Sequence, residues 1–144
     1  MKIADPWKQI ITEQFLKTTI RTPSRFSLPP SSQRFLLEQM CRAFPLNKSI
    51  QIRPLRLAGL RAEELKPETE ATQLILHIHG GAFFLGSMNT HRAFVSDLAA
   101  STQMQVIHLD YPLSPEHPYP EAIDALFDVY LLLLEQGIQA KDII

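Results

Sequence analysis

The sequence is poor in several features that whole classes of function need. It holds one cysteine, Cys41, which excludes an internal disulfide. Fourteen Lys and Arg stand against fifteen Asp and Glu, for a net charge of −1. That balance gives no electrostatic case for binding nucleic acid or an anionic membrane. The longest apolar run, Ala125 to Leu134, is interrupted by Asp128 and is too short to span a bilayer. The opening residues, MKIADPWKQIITEQF, are too polar for the core of a signal peptide. Glycine is scarce, with five residues at 59, 80, 81, 86 and 137. No two of them bracket a serine as Gly-x-Ser-x-Gly. These absences leave a cytoplasmic globular protein as the expectation. A composition of 45% hydrophobic and 20% charged residues, over 144 positions, fits one ordinary domain.

What is present has a clear order. Trp7, Ile10, Ile11 and Phe15 recur at helical spacing and predict an amphipathic helix over 7–19. Its polar face lacks a Lys/Arg cluster, so it reads as cap or core packing rather than a membrane anchor. A turn-rich stretch follows from Thr22 to Pro30. Ser31 or Ser32 is then the candidate cap of a second helix reaching about Phe44, closed by Pro45. From Ser49 the period changes. Ile50, Ile52, Leu55 and Leu57 predict one or two short strands, with Pro54 limiting them to an edge or a bulge. The charged segment Gly59 to Thr72 reads as a loop or turn. Gln73 to His79 reads as a buried strand, Thr90 to Thr102 as a helix, and Met104 to Leu109 as a strand. A strong helix runs from Pro120 to about Gln136 and stops at Gly137. Asp142-Ile143-Ile144 looks like the opening of another strand. Such alternation predicts an α/β fold with a parallel sheet covered by helices on both faces.

Chemistry in such a sheet gathers at the carboxyl ends of its strands, and His79-Gly80-Gly81 sits at one. Two glycines permit positive φ and close approach of backbone to a ligand. Exposed N–H groups there can hold developing negative charge, as ester hydrolysis requires. The same residues are equally compatible with a tight turn carrying a packed Phe83–Phe84 pair.

A second block separates these readings. After the next strand comes Asp110-Tyr111-Pro112-Leu113-Ser114-Pro115-Glu116-His117-Pro118-Tyr119-Pro120. Together with His79-Gly80-Gly81-Ala82-Phe83, Gly86-Ser87 and His91-Arg92, it resembles the hormone-sensitive-lipase-like esterases of the α/β-hydrolase superfamily. The resemblance covers roughly residues 50–144. It implies the N-terminal part of an α/β-hydrolase fold: a mostly parallel sheet flanked by helices, with a helical cap over 1–48 and a partial core over 49–144. It implies that the backbone N–H groups of Gly81 and Ala82 are oxyanion donors. Gly80 and His79 then support the loop, and His79 is not the general base. Ala82 stands where the family has glycine, and its donor role is expected to need a negative φ. Asp110, Tyr111 and Glu116 are expected to organise loops, with the two carboxylates accepting backbone N–H bonds. Pro112 stands where the family has Arg.

The rest of the catalyst is expected elsewhere. The family's serine sits on a Gly-x-Ser-x-Gly elbow, followed by Asp or Glu and then His. The chain reads as truncated before that elbow, and none of the triad is present. The five histidines show no metal-binding pattern, and no Gly-Lys-Ser/Thr makes the glycines a phosphate loop. No metal or cofactor is therefore expected. Three functional expectations follow. The chain is the N-terminal portion of a serine esterase acting on small esters or lactones, one part of a split enzyme completed by a second chain with the elbow, or a non-catalytic binding remnant.

Overall fold

In the computed structural model, residues 28–68 and 73–144 are described. The helix expected over 7–19 lies outside them. Helix α1 spans Pro30–Cys41. Its start corrects the expected serine cap. Pro29 is the N-cap residue, with no side-chain bond, and proline fills the first turn, where a missing N–H costs nothing.

Strands β1 (Gln51–Leu57) and β2 (Leu60–Lys66) form an antiparallel hairpin. The segment read as a loop or turn is thus a strand over Leu60–Lys66. Its turn is Ala58-Gly59, with φ of 46° and 83°. Two residues of positive φ between paired strands give the twist that a hairpin prefers. Pro54 lies on β1, an edge strand, where its missing N–H is tolerated.

Strand β3 (Leu74–Ile78), helix α2 (Met88–Thr102) and strand β4 (Gln105–Asp110) form a β-α-β unit with β3 and β4 parallel. Helix α3 covers Glu121–Glu135. The sheet order is β1-β2-β4-β3, and β2 runs antiparallel to β4. The described sheet is therefore mixed. The parallel pairing expected from strand–helix alternation is realised in β3 and β4, while the hairpin contributes the antiparallel part. A further parallel bridge joins Leu74 to Ile143, beyond a 3-10 turn at Ala140–Asp142. β3 thus lies between β4 and the start of another extended segment.

Alternation along the strands feeds two cores. On one face Ile107 and Leu109 pack with Ala122, Leu126, Val129 and Leu133 of α3. On the other, Leu65 and Val106 pack with Val95 and Ala99 of α2. One helix therefore covers each face. Both β3 and β4 end at the same side, where the two loops of interest begin.

Candidate active site

The loop after β3 is built around its glycines. Gly81 has φ of +132°, Ala82 +54° and Phe83 +56°. The loop closes on itself, since the N–H groups of Phe84 and Leu85 both donate to the Gly81 carbonyl at 3.0 and 2.8 Å. A Cβ on Gly81 would lie 2.0 Å from the Leu85 carbonyl oxygen, so only glycine fits. Gly86, at φ +90°, is held equally closely. A Cβ there would meet the Gly80 carbonyl oxygen at 2.5 Å and His79 Nδ1 at 2.7 Å. Among the described residues, the N–H groups of Gly81 and Ala82 have no hydrogen-bond partner, and both residues are exposed. Ala82 has a positive φ, so the negative value that its donor role is expected to need is not met, and that role rests instead on the free N–H at this φ. A left-handed alanine costs on the order of 1 kcal/mol. It still keeps its N–H, and the closed turn around Gly81 supplies the constraint that holds it there.

The loop ends in a helix start. Ser87 caps α2 through a reciprocal box with Thr90, its Oγ accepting the Thr90 N–H at 3.3 Å and its own N–H donating to Thr90 Oγ1 at 2.9 Å. Asp110 Oδ1 accepts the Met88 N–H at 3.3 Å, and Arg61 approaches its other oxygen at 3.7 Å.

The loop after β4 braces this one. Tyr111 is buried, its hydroxyl donates to the His79 carbonyl at 2.7 Å, and its ring stacks on the His79 ring at 4.3 Å. Burial raises the Tyr111 pKa, which keeps the hydroxyl a donor. The Ser114 N–H donates to the Phe83 carbonyl at 2.8 Å. Glu116 pairs with Arg34 of α1 at 2.9 Å. Its own backbone N–H, and then Arg34, lower its pKa. His79 Nδ1 lies 3.0 Å from the Gly80 carbonyl. The ring is 2% exposed and its Nε2 has no hydrogen-bond partner.

The structure also gathers histidines that look isolated in the sequence. Strand register aligns Glu63, His108 and His77 in one row across β2, β4 and β3. His77 and His108 meet edge to face at 4.8 Å. His91 of α2 lies 5.3 Å from His79 and 6.1 Å from His77. Four of the five histidines thus form one cluster, and only strand pairing reveals it. The described residues hold no group of His, Cys, Asp and Glu able to bind a metal ion.

Burial first, and then the neighbouring histidines, lower the His77 pKa from 6.5 to about 4. Burial is also the largest cause of the lowered values of His79 and His91. The folded state therefore holds these rings neutral. Below pH 6.5 the unfolded chain binds more protons, so stability present above that pH is lost as pH falls towards about 4. We expect the urea midpoint to drop between pH 7.5 and pH 5. His77→Leu should flatten that dependence, and an unaltered slope in the variant would refute the assignment.

The fold is that of the α/β-hydrolases. A family model described as the alpha/beta hydrolase fold matches residues 75–144. The chain is 66% identical to an esterase of Acinetobacter venetianus, over all of this chain and 48% of that protein. It superposes on the crystal structure of an esterase from the bacterial hormone-sensitive lipase family with a TM-score of 0.78 and 31% identity. That match covers 90% of this chain and 44% of the other. An esterase/lipase from an uncultured bacterium gives a TM-score of 0.74 at 34% identity, covering 81% and 39% respectively. The chain has the α/β-hydrolase fold and is similar to the N-terminal part of esterases of hormone-sensitive-lipase type. It spans about half the length of the relatives it matches. Among the described residues, no helix is long and apolar enough to cross a membrane.

Proposed function

We propose that this chain supplies the oxyanion-binding loop of a serine carboxylic-ester hydrolase and has no turnover by itself. The observation that carries the reading is the pair of unpartnered, exposed N–H groups on Gly81 and Ala82, in a rigidly closed turn after β3. Donors fixed before the substrate arrives stabilise the negative charge of a tetrahedral intermediate at little reorganisation cost. In the complete catalyst, a serine attacks the ester carbonyl and a histidine takes its proton, while Gly81 and Ala82 hold O⁻. His79 and Gly80 hold the turn in shape, and Asp110, Tyr111 and Glu116 brace it. The substrates are small esters or lactones, and no cofactor takes part. The segment 1–48 serves as the cap over a partial core at 49–144, and the location is cytoplasmic.

The nucleophile, the acid and the base come from a complementing C-terminal segment. Two features support an attachment surface for it. The edge of β3 away from β4 is paired only with Ile143 and Ile144 among the described residues. On α3, Ile123, Phe127 and Leu131 expose an apolar stripe at helical spacing. The same stripe favours the second reading, a non-catalytic remnant that binds a partner.

Hydrolysis of p-nitrophenyl acetate, butyrate and octanoate separates the two. The purified chain is expected to be silent. Co-expression with a segment carrying the elbow and the remaining triad is expected to give turnover. Turnover by the 144 residues alone would overturn the reading. Silence of a demonstrated complex would favour the remnant.

A further inference from the structure

We propose that Arg34 and Glu38, one turn apart on α1, are positioning residues that clamp the loop 79–87 from the cap side. This inference rests on the reading of that loop as the oxyanion loop. The Arg34 guanidinium reaches three acceptors on two separate loops. Its Nε donates to the Phe84 carbonyl at 2.8 Å, one terminal nitrogen to Glu116 Oε2 at 2.9 Å, and the other to the Ser114 carbonyl. Its Cζ also sits 5.8 Å from the centre of the Phe84 ring. Glu38 takes hold at the far end of the loop. Its Oε1 accepts the Ser87 hydroxyl at 2.8 Å and the Asn89 amide at 3.4 Å.

The geometry is unusual for a surface ion pair. The Arg34 side chain is 22% exposed, and two of its acceptors are backbone carbonyls of loops more than forty residues away in sequence. Phe84 lies two residues after Ala82, the second of the residues whose N–H groups are free. Its own N–H closes the turn onto the Gly81 carbonyl. A planar fork satisfies several acceptors at fixed angles, which a lysine cannot do. Fixing Phe84 and Ser87 after the segment, with the His79 carbonyl held by Tyr111 before it, leaves Gly81 to Phe83 few ways to move. The cap helix thereby sets the direction of the donor groups without touching substrate.

The clamp predicts changes in motion and in chemistry, and the two can be read separately. Backbone ¹⁵N relaxation of the chain reports loop order directly. Order parameters of Gly81 to Leu85 are expected near about 0.85 in the natural protein and below about 0.6 in R34A. Val106 and Leu109 in the sheet serve as internal controls and should stay unchanged. In the complemented enzyme, R34A is expected to lower kcat on the order of 10²-fold through misplaced donors, with KM moving little. R34K keeps a charge beside Glu116 but not the fork, and should recover only part of kcat. E38Q provides a variant of unchanged size should R34A fail to fold, with looser order expected around Ser87. Unchanged order at Gly81 to Leu85 in folded R34A would overturn the clamp. A loosened loop with full kcat would leave the clamp standing and overturn the oxyanion reading instead.

Discussion

Replacing Gly81 by alanine is expected to abolish turnover of the complemented enzyme, with a loss of at least about 10²-fold in kcat. The reasoning starts from space. At φ +132° the backbone of Gly81 lies where side-chain-bearing residues rarely go. A Cβ there would overlap the Leu85 carbonyl, with its oxygen 2.0 Å away and its carbon 2.5 Å away. These are backbone atoms, so no side-chain rotation relieves the overlap. The turn must open, and the Phe84 and Leu85 N–H bonds to the Gly81 carbonyl break with it. Alanine keeps its N–H, so the loss would come from direction rather than from a missing donor. Removing a single oxyanion donor commonly costs 10²–10³ in kcat, and a displaced pair should cost no less. Gly80→Ala is the control, because Gly80 supports the turn through its carbonyl, which alanine keeps, and a Cβ there meets nothing within 4 Å. Comparable kcat for both variants would refute the role of the turn. Far-ultraviolet circular dichroism should show that both variants retain their sheet and helices.

The Gly-Gly loop, the two helices on either side of β4 and the two parallel strands β3 and β4 are legible in the sequence because each follows a single rule. Apolar residues of β3 and β4 form short dense runs, and α2 and α3 repeat at helical spacing. Strand β2 is not legible in that way. In Leu60–Lys66 both Ala62 and Glu63 are buried, one on each face, so the strand shows no apolar alternation. Glu63 lies under α2 with Arg92, and Glu64 faces Arg53 and Gln105. Charges that usually mark a loop are here satisfied within the sheet. The available signal was the Ala58-Gly59 dipeptide between two runs, which reads as a hairpin turn. The histidine cluster and the Arg34 clamp were hidden for a different reason. Both depend on which strands pair in which register and on where α1 docks, and neither is a property of local sequence. Family resemblance located the loop and its bracing block, but the positive φ of Ala82 could be read only from the folded chain.

Breaking the Glu63–Arg92 pair is expected to destabilise the fold by up to about 3–5 kcal/mol, the usual cost of leaving a buried charge without its partner. Glu63 stands at the β2 end of the polar row under α2. Its carboxylate accepts from Arg92 Nε at 2.8 and 3.1 Å and lies 3.2 Å from His108 Nδ1. The Glu63 side chain is 4% exposed and His108 is fully buried, while Arg92 is 31% exposed. Removing the carboxylate strands two groups at once. His108 Nε2 already has no partner, so losing the Nδ1 contact leaves the ring unsatisfied at both nitrogens. Arg92 can turn partly to water once Glu63 is gone, whereas the buried Glu63 carboxylate cannot once Arg92 is gone, so R92A should cost at least as much as E63A. Urea denaturation of the three proteins gives the order directly, and a clearly smaller loss for R92A than for E63A would refute it. A triple variant, E63L with R92M and H108F, tests the physical origin of the loss. If the cost is that of uncompensated burial, replacing the whole network by apolar groups of similar size should restore most of the stability. If the triple variant is as unstable as E63A, the network contributes by attraction beyond its own desolvation. It would then be holding β2, β4 and α2 in register beneath the loop that ends at Ser87.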